Sequence, residues 1–77
     1  MIARYTRSRI NELAERLLAA KENYGQIIMQ EEDPDLLDHA AKEILVRAMG
    51  QPGIPVLALS ISEGVERRAR WLRRGVR

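Results

Sequence analysis

From Ile10 onward, apolar residues recur along the chain at alternating intervals of three and four. The series is Ile10, Leu13, Leu17, Ala20, Tyr24 and Ile27. This alternation returns to one face of an α-helix and is typical of a coiled-coil seam. It predicts one long helix over residues 6–30. Gly25 is expected to be its weakest point, because glycine costs a helix about 1 kcal/mol relative to alanine.

A second helix is predicted to begin at Asp33 and Pro34. Aspartate accepts backbone N–H hydrogen bonds as an N-cap, and proline at the first helical position loses no intrahelical hydrogen bond. Asp35 then lies in the first turn, near the positive end of the helix dipole. The pattern predicts a helix over residues 34–49 that stops at Gly50. Because the turn between the two helices is very short, we expect them to form an antiparallel hairpin.

The C-terminal part of the chain follows a connector rich in glycine and proline, GQPGIP at residues 50–55. We predict that residues 56–74 are mostly a third, shorter helix. It begins either near the connector or at Ser60, which forms a capping-box pattern with Glu63. The alternative is a short strand over residues 56–61 before the last helix. The all-helical interpretation is favoured because alanine and leucine dilute the β-branched residues of this segment.

These segments predict a single all-α domain over residues 1–77, and the composition favours self-association. A chain of this size buries only about 60% of the surface that its unfolded form exposes. It has no Phe, one Trp and no Cys, so disulfides and the common Cys-based zinc sites are excluded. Self-association remains as a source of stability, and we predict a homodimeric bundle. The predicted interface residues are Ile10, Leu13, Leu17, Tyr24, Ile27, Leu37 and Ile44.

Charge is segregated along the chain. Residues 31–38 contain five acids, whereas six of the last eleven residues are arginines. The simpler explanation is that the acids serve the second helix and the arginines form a solvated face. The alternative is that one charged region docks an oppositely charged partner. The candidate residues for binding a partner or an anion are Arg67, Arg68, Arg70, Trp71, Arg73 and Arg74.

No constellation typical of catalysis is found in the sequence. His39, the only histidine, has Asp35 four residues before it and Glu43 four residues after it, so the three groups share one helical face. A surface histidine with i,i+4 neighbours is the simpler interpretation. A Ser-His-Asp elbow, a glycine-rich phosphate loop and an HExxH motif are all missing. We therefore predict that the protein is not an enzyme, uses no cofactor or metal, and takes no small-molecule substrate.

The predicted function is that of a small non-catalytic binding protein, such as an adaptor, inhibitor or regulator, acting through protein–protein contacts and self-association. The alternative is a nucleic-acid-binding transcriptional regulator whose Arg-rich C-terminal helix neutralises phosphates. The basic N-terminus is not followed by the apolar run of a signal peptide. The longest apolar stretch, IPVLAL, is far shorter than the ~20 residues of a membrane span. We therefore expect a cytoplasmic protein without membrane association.

Overall fold

A computed structural model of the chain describes residues 6–50 and 56–75. Within these ranges the backbone is helical and forms no strand, so the all-α prediction is confirmed and the alternative strand at 56–61 is wrong. The elements are α1 Arg7–Ala20, a 3₁₀ helix Lys21–Asn23, α2 Gly25–Gln30, α3 Pro34–Gly50 and α4 Val56–Arg73. Apart from Gly50, the predicted connector at 50–55 lies outside the described residues.

The start of α3 is fixed by the side chain of Asp33. Its Oδ1 atom accepts hydrogen bonds from the backbone N–H groups of Asp35 at 3.0 Å and Leu36 at 3.4 Å. Pro34 follows as the first helical residue. The predicted N-cap and helix start are therefore confirmed, since an aspartate in this position satisfies backbone donors that the helix itself leaves free.

The predicted single helix over residues 6–30 is interrupted. Lys21, directly after α1, has φ 54° and ψ −120°. Such a conformation costs a residue other than glycine about 1–3 kcal/mol. The 3₁₀ turn then leads into α2, which begins at Gly25. The interruption therefore lies four residues before the glycine that the sequence indicated as the weak point.

The largest interface in the fold joins α3 to α4, and α1 packs against α3. α3 and α4 are antiparallel, because Asp35 in the first turn of α3 contacts Arg73 at the end of α4. Midway between them, the buried Ser62 hydroxyl donates a hydrogen bond to the carbonyl of Ala41 at 3.1 Å. α4 spans 18 residues and is the longest described helix. Of the two predicted starts, the one near the connector is confirmed and the one at Ser60 is wrong, and this helix is not the shorter one that was predicted.

The apolar seam assigned to a dimer interface lies inside the fold of one chain. The predicted interface residues that are buried in this core are Ile10, Leu13, Leu17, Leu37 and Ile44. Tyr24 and Ile27 are half-buried and pack against the same core. The physical reason is α4, whose buried stripe includes Ile61 and Val65 and supplies the cover that the dimer prediction assigns to a second copy. The five buried side chains are not available for an interface between folded copies.

Most of the acidic stretch at residues 31–38 is used within the chain. Asp33 caps α3, and the backbone N–H of Asp33 donates to Glu31 Oε2 at 3.3 Å. The ion pairs of the stretch are Glu31 with Arg9, Asp35 with Arg73, and Asp38 with Arg73. These contacts join the start of α3 to α1 and to the end of α4. Four of the five carboxylates in this stretch therefore cap a helix or bind another group of the same chain, as the simpler explanation predicts.

The nearly buried carboxylate of Glu43 joins α1 to α3 through ion pairs with arginines. The two oxygens of Glu43 accept hydrogen bonds from Arg7 Nη2 at 2.5 Å and from Arg47 Nε at 2.9 Å. Arg47 also lies 3.9 Å from Glu15 of α1. A buried carboxylate is tolerated when cations and hydrogen bonds satisfy its oxygens. The two helices are thus joined by an ion-pair network as well as by apolar packing.

The strain at Lys21 generates a stability prediction. We expect Lys21→Gly to raise the free energy of unfolding by about 0.5–1 kcal/mol, because glycine adopts positive φ without the steric penalty that lysine bears. The matched control is Lys42→Gly, at an exposed position inside α3, which should lower stability by about 1 kcal/mol. Urea unfolding followed by circular dichroism measures both variants. Equal destabilisation by the two substitutions would contradict the interruption at Lys21.

Candidate docking groove between α2 and α4

A groove of about 380 Å³ lies between α2 and the C-terminal half of α4. We call it the α2–α4 groove. It is lined by Tyr24, Ile28 and Met29 on one side and by Gly64, Arg67, Arg68 and Trp71 of α4 on the other. Ligand pockets usually measure about 300–1,000 Å³, so this groove has room for a few side chains rather than for a large ligand. Its lining is apolar apart from two arginines and contains no acidic residue.

The groove depends on a close contact between Tyr24 and Gly64 in the middle of α4. A Cβ atom at position 64 would lie 2.7 Å from Tyr24 Cε2 and 2.9 Å from Tyr24 Cζ, and it would also meet the hydroxyl oxygen. Any side chain at position 64 would therefore displace the ring. A glycine inside a helix costs about 1 kcal/mol relative to alanine. Here the glycine lets the chain that follows the Lys21 turn pack against α4.

Arg68 forms a second link between α2 and α4. Its Nε–H donates a hydrogen bond to the carbonyl of Ile28 at 3.2 Å. That carbonyl is among the last four of α2, which have no partner within the helix. The guanidinium carbon of Arg68 lies 4.8 Å from the ring centroid of Trp71, a cation–π geometry. Arg68 is therefore fixed between a helix end and an aromatic ring.

Two large apolar side chains of the groove remain open to solvent. Met29 is 64% exposed and Trp71 is 38% exposed. Single exposed apolar residues are common on protein surfaces and need no explanation. Here both residues line one concave surface, together with the half-buried Tyr24 and Ile28. Concave apolar surfaces of this kind mark contact sites more often than scattered residues do.

Arg73, one of the predicted binding residues, is engaged within the fold. Its Nη2 lies 2.7 Å from Asp35 Oδ1, and its Nη1 binds Asp38. The hydrogen bond to Asp35, followed by that to Asp38, raises the pKa of Arg73 above its ordinary value. Arg73 therefore ties α4 to α3 and is not a free cation for a ligand.

The other predicted binding residues of α4 fall into two sets. Arg67, Arg68 and Trp71 line the α2–α4 groove. Arg70 and Arg74 are exposed outside it. The spacing of Arg67, Arg70 and Arg74 places them on one helical face. Within residues 6–50 and 56–75, none of these three arginines forms an ion pair.

On the α2 side of the groove, the sequence indicated only Tyr24, and it did so as part of the predicted dimer interface. Met29 lies outside the apolar seam, and nothing in the pattern distinguished it from a surface residue. Gly64 gave a usable signal, because a glycine inside a predicted helix often marks a close approach of another group. The identity of that group, Tyr24, required the fold.

The groups around His39 are engaged in contacts within the chain. The Nδ1 atom of His39 lies 2.7 Å from the carbonyl oxygen of Asp35, while Glu43 is engaged by arginines. Among the described residues, no group of three or more His, Cys, Asp and Glu is arranged to hold a metal ion. None of the described helices combines the length and the apolar content needed to cross a lipid bilayer.

Comparison of the chain with protein-family models, curated proteins and solved structures gives no match. The features of the structure that bear on function are the α2–α4 groove and the exposed arginines of α4.

The contact between Tyr24 and Gly64 can be tested by a double-mutant cycle. We expect Gly64→Ala to lower the free energy of unfolding by about 1–3 kcal/mol, because the new methyl group displaces the Tyr24 ring. In a Tyr24→Ala background the same change should stabilise by up to about 1 kcal/mol, since only the helix propensity remains. Gly25→Ala, which places a methyl group in open space, is the control and should not destabilise. Additive effects of Tyr24→Ala and Gly64→Ala would contradict the contact.

Proposed function

We propose that the protein is a non-catalytic protein-binding module and that the α2–α4 groove is its partner-binding site. The observation that carries the proposal is the exposure of Met29 and Trp71 on one concave surface. Trp, Tyr, Met and Arg are enriched in the buried centres of protein interfaces, and all four residue types line this groove. Aromatic anchors that lose their water on binding contribute most of the energy of such contacts.

The charge of the groove supports a partner of negative charge. Arg67 and Arg68 line it, and Arg70 and Arg74 extend the positive surface along α4. Complementary charge speeds association and selects among partners more than it adds raw affinity. An acidic protein segment therefore fits the site better than a neutral or basic one.

The proposal does not need a homodimer. The side chains that motivated self-association lie in the core of the single chain. A second copy that associated with the first would have to cover other surface, and among the described residues the groove with Met29 and Trp71 is one apolar surface that it could cover. A cytoplasmic location remains a prediction from the sequence.

A second candidate function is the binding of nucleic acid by the exposed face of α4. It is favoured by the shared face of Arg67, Arg70 and Arg74, none of which is ion-paired within the described part of the chain. Lys and Arg side chains arranged in this way neutralise phosphates. Trp71 adds little to this function, because Arg68 already lies over its ring, where a base would otherwise stack.

Site-specific photo-crosslinking tests the protein-binding function. A benzophenone amino acid in place of Met29 should form protein adducts in a lysate of the source organism, and Trp71→Ala should abolish them. The matched control is the same amino acid at Met49, a methionine that is 85% exposed on α3 and does not line the groove. Equal adduct patterns at positions 29 and 49, or adducts whose added mass is removed by nuclease, would contradict the proposal.

A charge-matched pair of variants tests the nucleic-acid candidate. If α4 binds phosphates, Arg67→Gln/Arg70→Gln/Arg74→Gln should weaken duplex binding strongly and flatten its salt dependence, since each phosphate that an arginine neutralises contributes about one unit of slope. The control, Arg16→Gln/Lys21→Gln/Lys42→Gln, removes the same charge from other exposed positions. Fluorescence anisotropy with labelled duplex over a salt series measures both. Equal weakening in the two variants would assign the binding to net charge alone.

A further inference from the structure

We infer that the α2–α4 groove binds an acidic amphipathic α-helix of a partner protein. In this complex Arg68 holds a carboxylate of the helix, and an aliphatic side chain of the helix lies between Met29 and Trp71. The inference rests on the proposed protein-binding function and specifies its partner.

The backbone around the groove favours a helical partner. The groove lies between two helices, α2 and α4, and no described residue that lines it belongs to a β-strand. Ile28, whose carbonyl lies near the C-terminal end of α2, is already bonded to Arg68. The groove therefore offers no strand edge to which an extended peptide could add. A helix satisfies its own backbone and brings only side chains to the contact, as in helix-in-groove recognition.

Arg68 is prepared for a carboxylate. Its Nε–H is used by Ile28, and its guanidinium group is held over Trp71, so the side chain has little rotamer freedom left to lose on binding. Its four Nη hydrogens make no hydrogen bond to another described residue. A planar guanidinium group with two free Nη atoms binds a carboxylate through two parallel hydrogen bonds.

The positive charge at the groove is not compensated by ion pairing within the described residues. The carboxylates that form ion pairs there are bound by arginines away from the groove, as the pairs of Glu43 with Arg7 and of Asp35 with Arg73 illustrate. Glu63 lies one helical turn before Arg67 but forms no ion pair with it. An anionic partner would therefore meet arginines whose charge the described part of the fold leaves available.

The acidic stretch of a second copy is a poorer fit than a foreign helix. Asp35 and Asp38 of residues 31–38 are bound to Arg73, and the adjacent Leu36 and Leu37 are buried in the core. A second copy would have to unfold the start of α3 to present these groups together. The partner is therefore a helix in another protein.

Trp71 provides a direct reporter of occupancy, because it is the only tryptophan of the chain and lines the groove. The probe is a synthetic amphipathic peptide of about 16 residues, long enough to populate a helix. It carries leucine at i, i+3, i+4 and i+7, glutamate beside the leucines, alanine elsewhere, and no aromatic residue. Two matched peptides replace every glutamate by glutamine or by lysine. Each is titrated into the full chain while Trp71 emission is recorded.

We expect the glutamate peptide to bind at least tenfold more tightly than the glutamine peptide and to shift Trp71 emission to shorter wavelength. Arg68→Gln should weaken the glutamate peptide about tenfold and leave the glutamine peptide nearly unchanged, as expected for the removal of a charged hydrogen bond. Arg68→Lys should restore only part of the affinity, because lysine lacks the planar fork. Arg16→Gln, the same charge change at an exposed residue of α1 that does not line the groove, is the control. Circular dichroism confirms that each variant is folded.

Three results would overturn the inference. Equal affinity for the glutamate and glutamine peptides would remove the carboxylate from recognition while leaving the groove as a protein-binding site. Binding of none of the three peptides would reject a helical partner, and the crosslinks from position 29 would then decide the proposed function separately. Sedimentation equilibrium showing a dimer that Met29→Glu converts to a monomer would assign the groove to a second copy.

Discussion

The ring of Tyr24 occupies the space that any side chain at position 64 would need, and the arrangement of the second half of the α1–α2 segment depends on this contact. Ile27 and Ile28 pack against the core in the same region. The chain reaches this arrangement through the strained backbone at Lys21, after which α2 lies beside α4. Arg68 adds a hydrogen bond to the end of α2. The groove is the space that remains beside these two contacts.

Local chemistry made some of the fold predictable. The start of α3 could be predicted because an N-cap aspartate and the proline after it affect backbone groups only a few residues away. The structure has this cap at Asp33. The interruption at Lys21 was not readable, since the surrounding alanines, lysine and glutamate all favour a helix. The contact that follows it, between Tyr24 and Gly64, joins residues forty positions apart in the sequence. The apolar seam was found correctly, but its cover by α4 was not predicted, because the pattern left the start of this helix open between the connector and Ser60 and did not show which face it packs against.

The candidate site was predictable to a similar extent. The arginines and Trp71 of α4 were identified from composition, yet one helix presents them to three different environments. Arg73 forms ion pairs with Asp35 and Asp38, whereas Arg68 is fixed over Trp71. The other described arginines of α4 and its C-terminal end are exposed to solvent. The run of arginines in the sequence does not show which environment each one has, because the environment depends on which helix lies against each turn of α4. Arg67 belongs both to the lining of the groove and to the exposed face that would suit phosphates.

The most direct test of the account is a nuclear Overhauser measurement on isotopically labelled protein. The account predicts strong cross-peaks between the ring protons of Tyr24 and the α-protons of Gly64, together with an absence of helical i,i+3 cross-peaks between residues 19 and 22 and between residues 20 and 23. An unbroken helical pattern from residue 6 to residue 30, without contacts between Tyr24 and Gly64, would contradict it. The chain would then have the long exposed seam that a second copy must cover, and the groove would not exist.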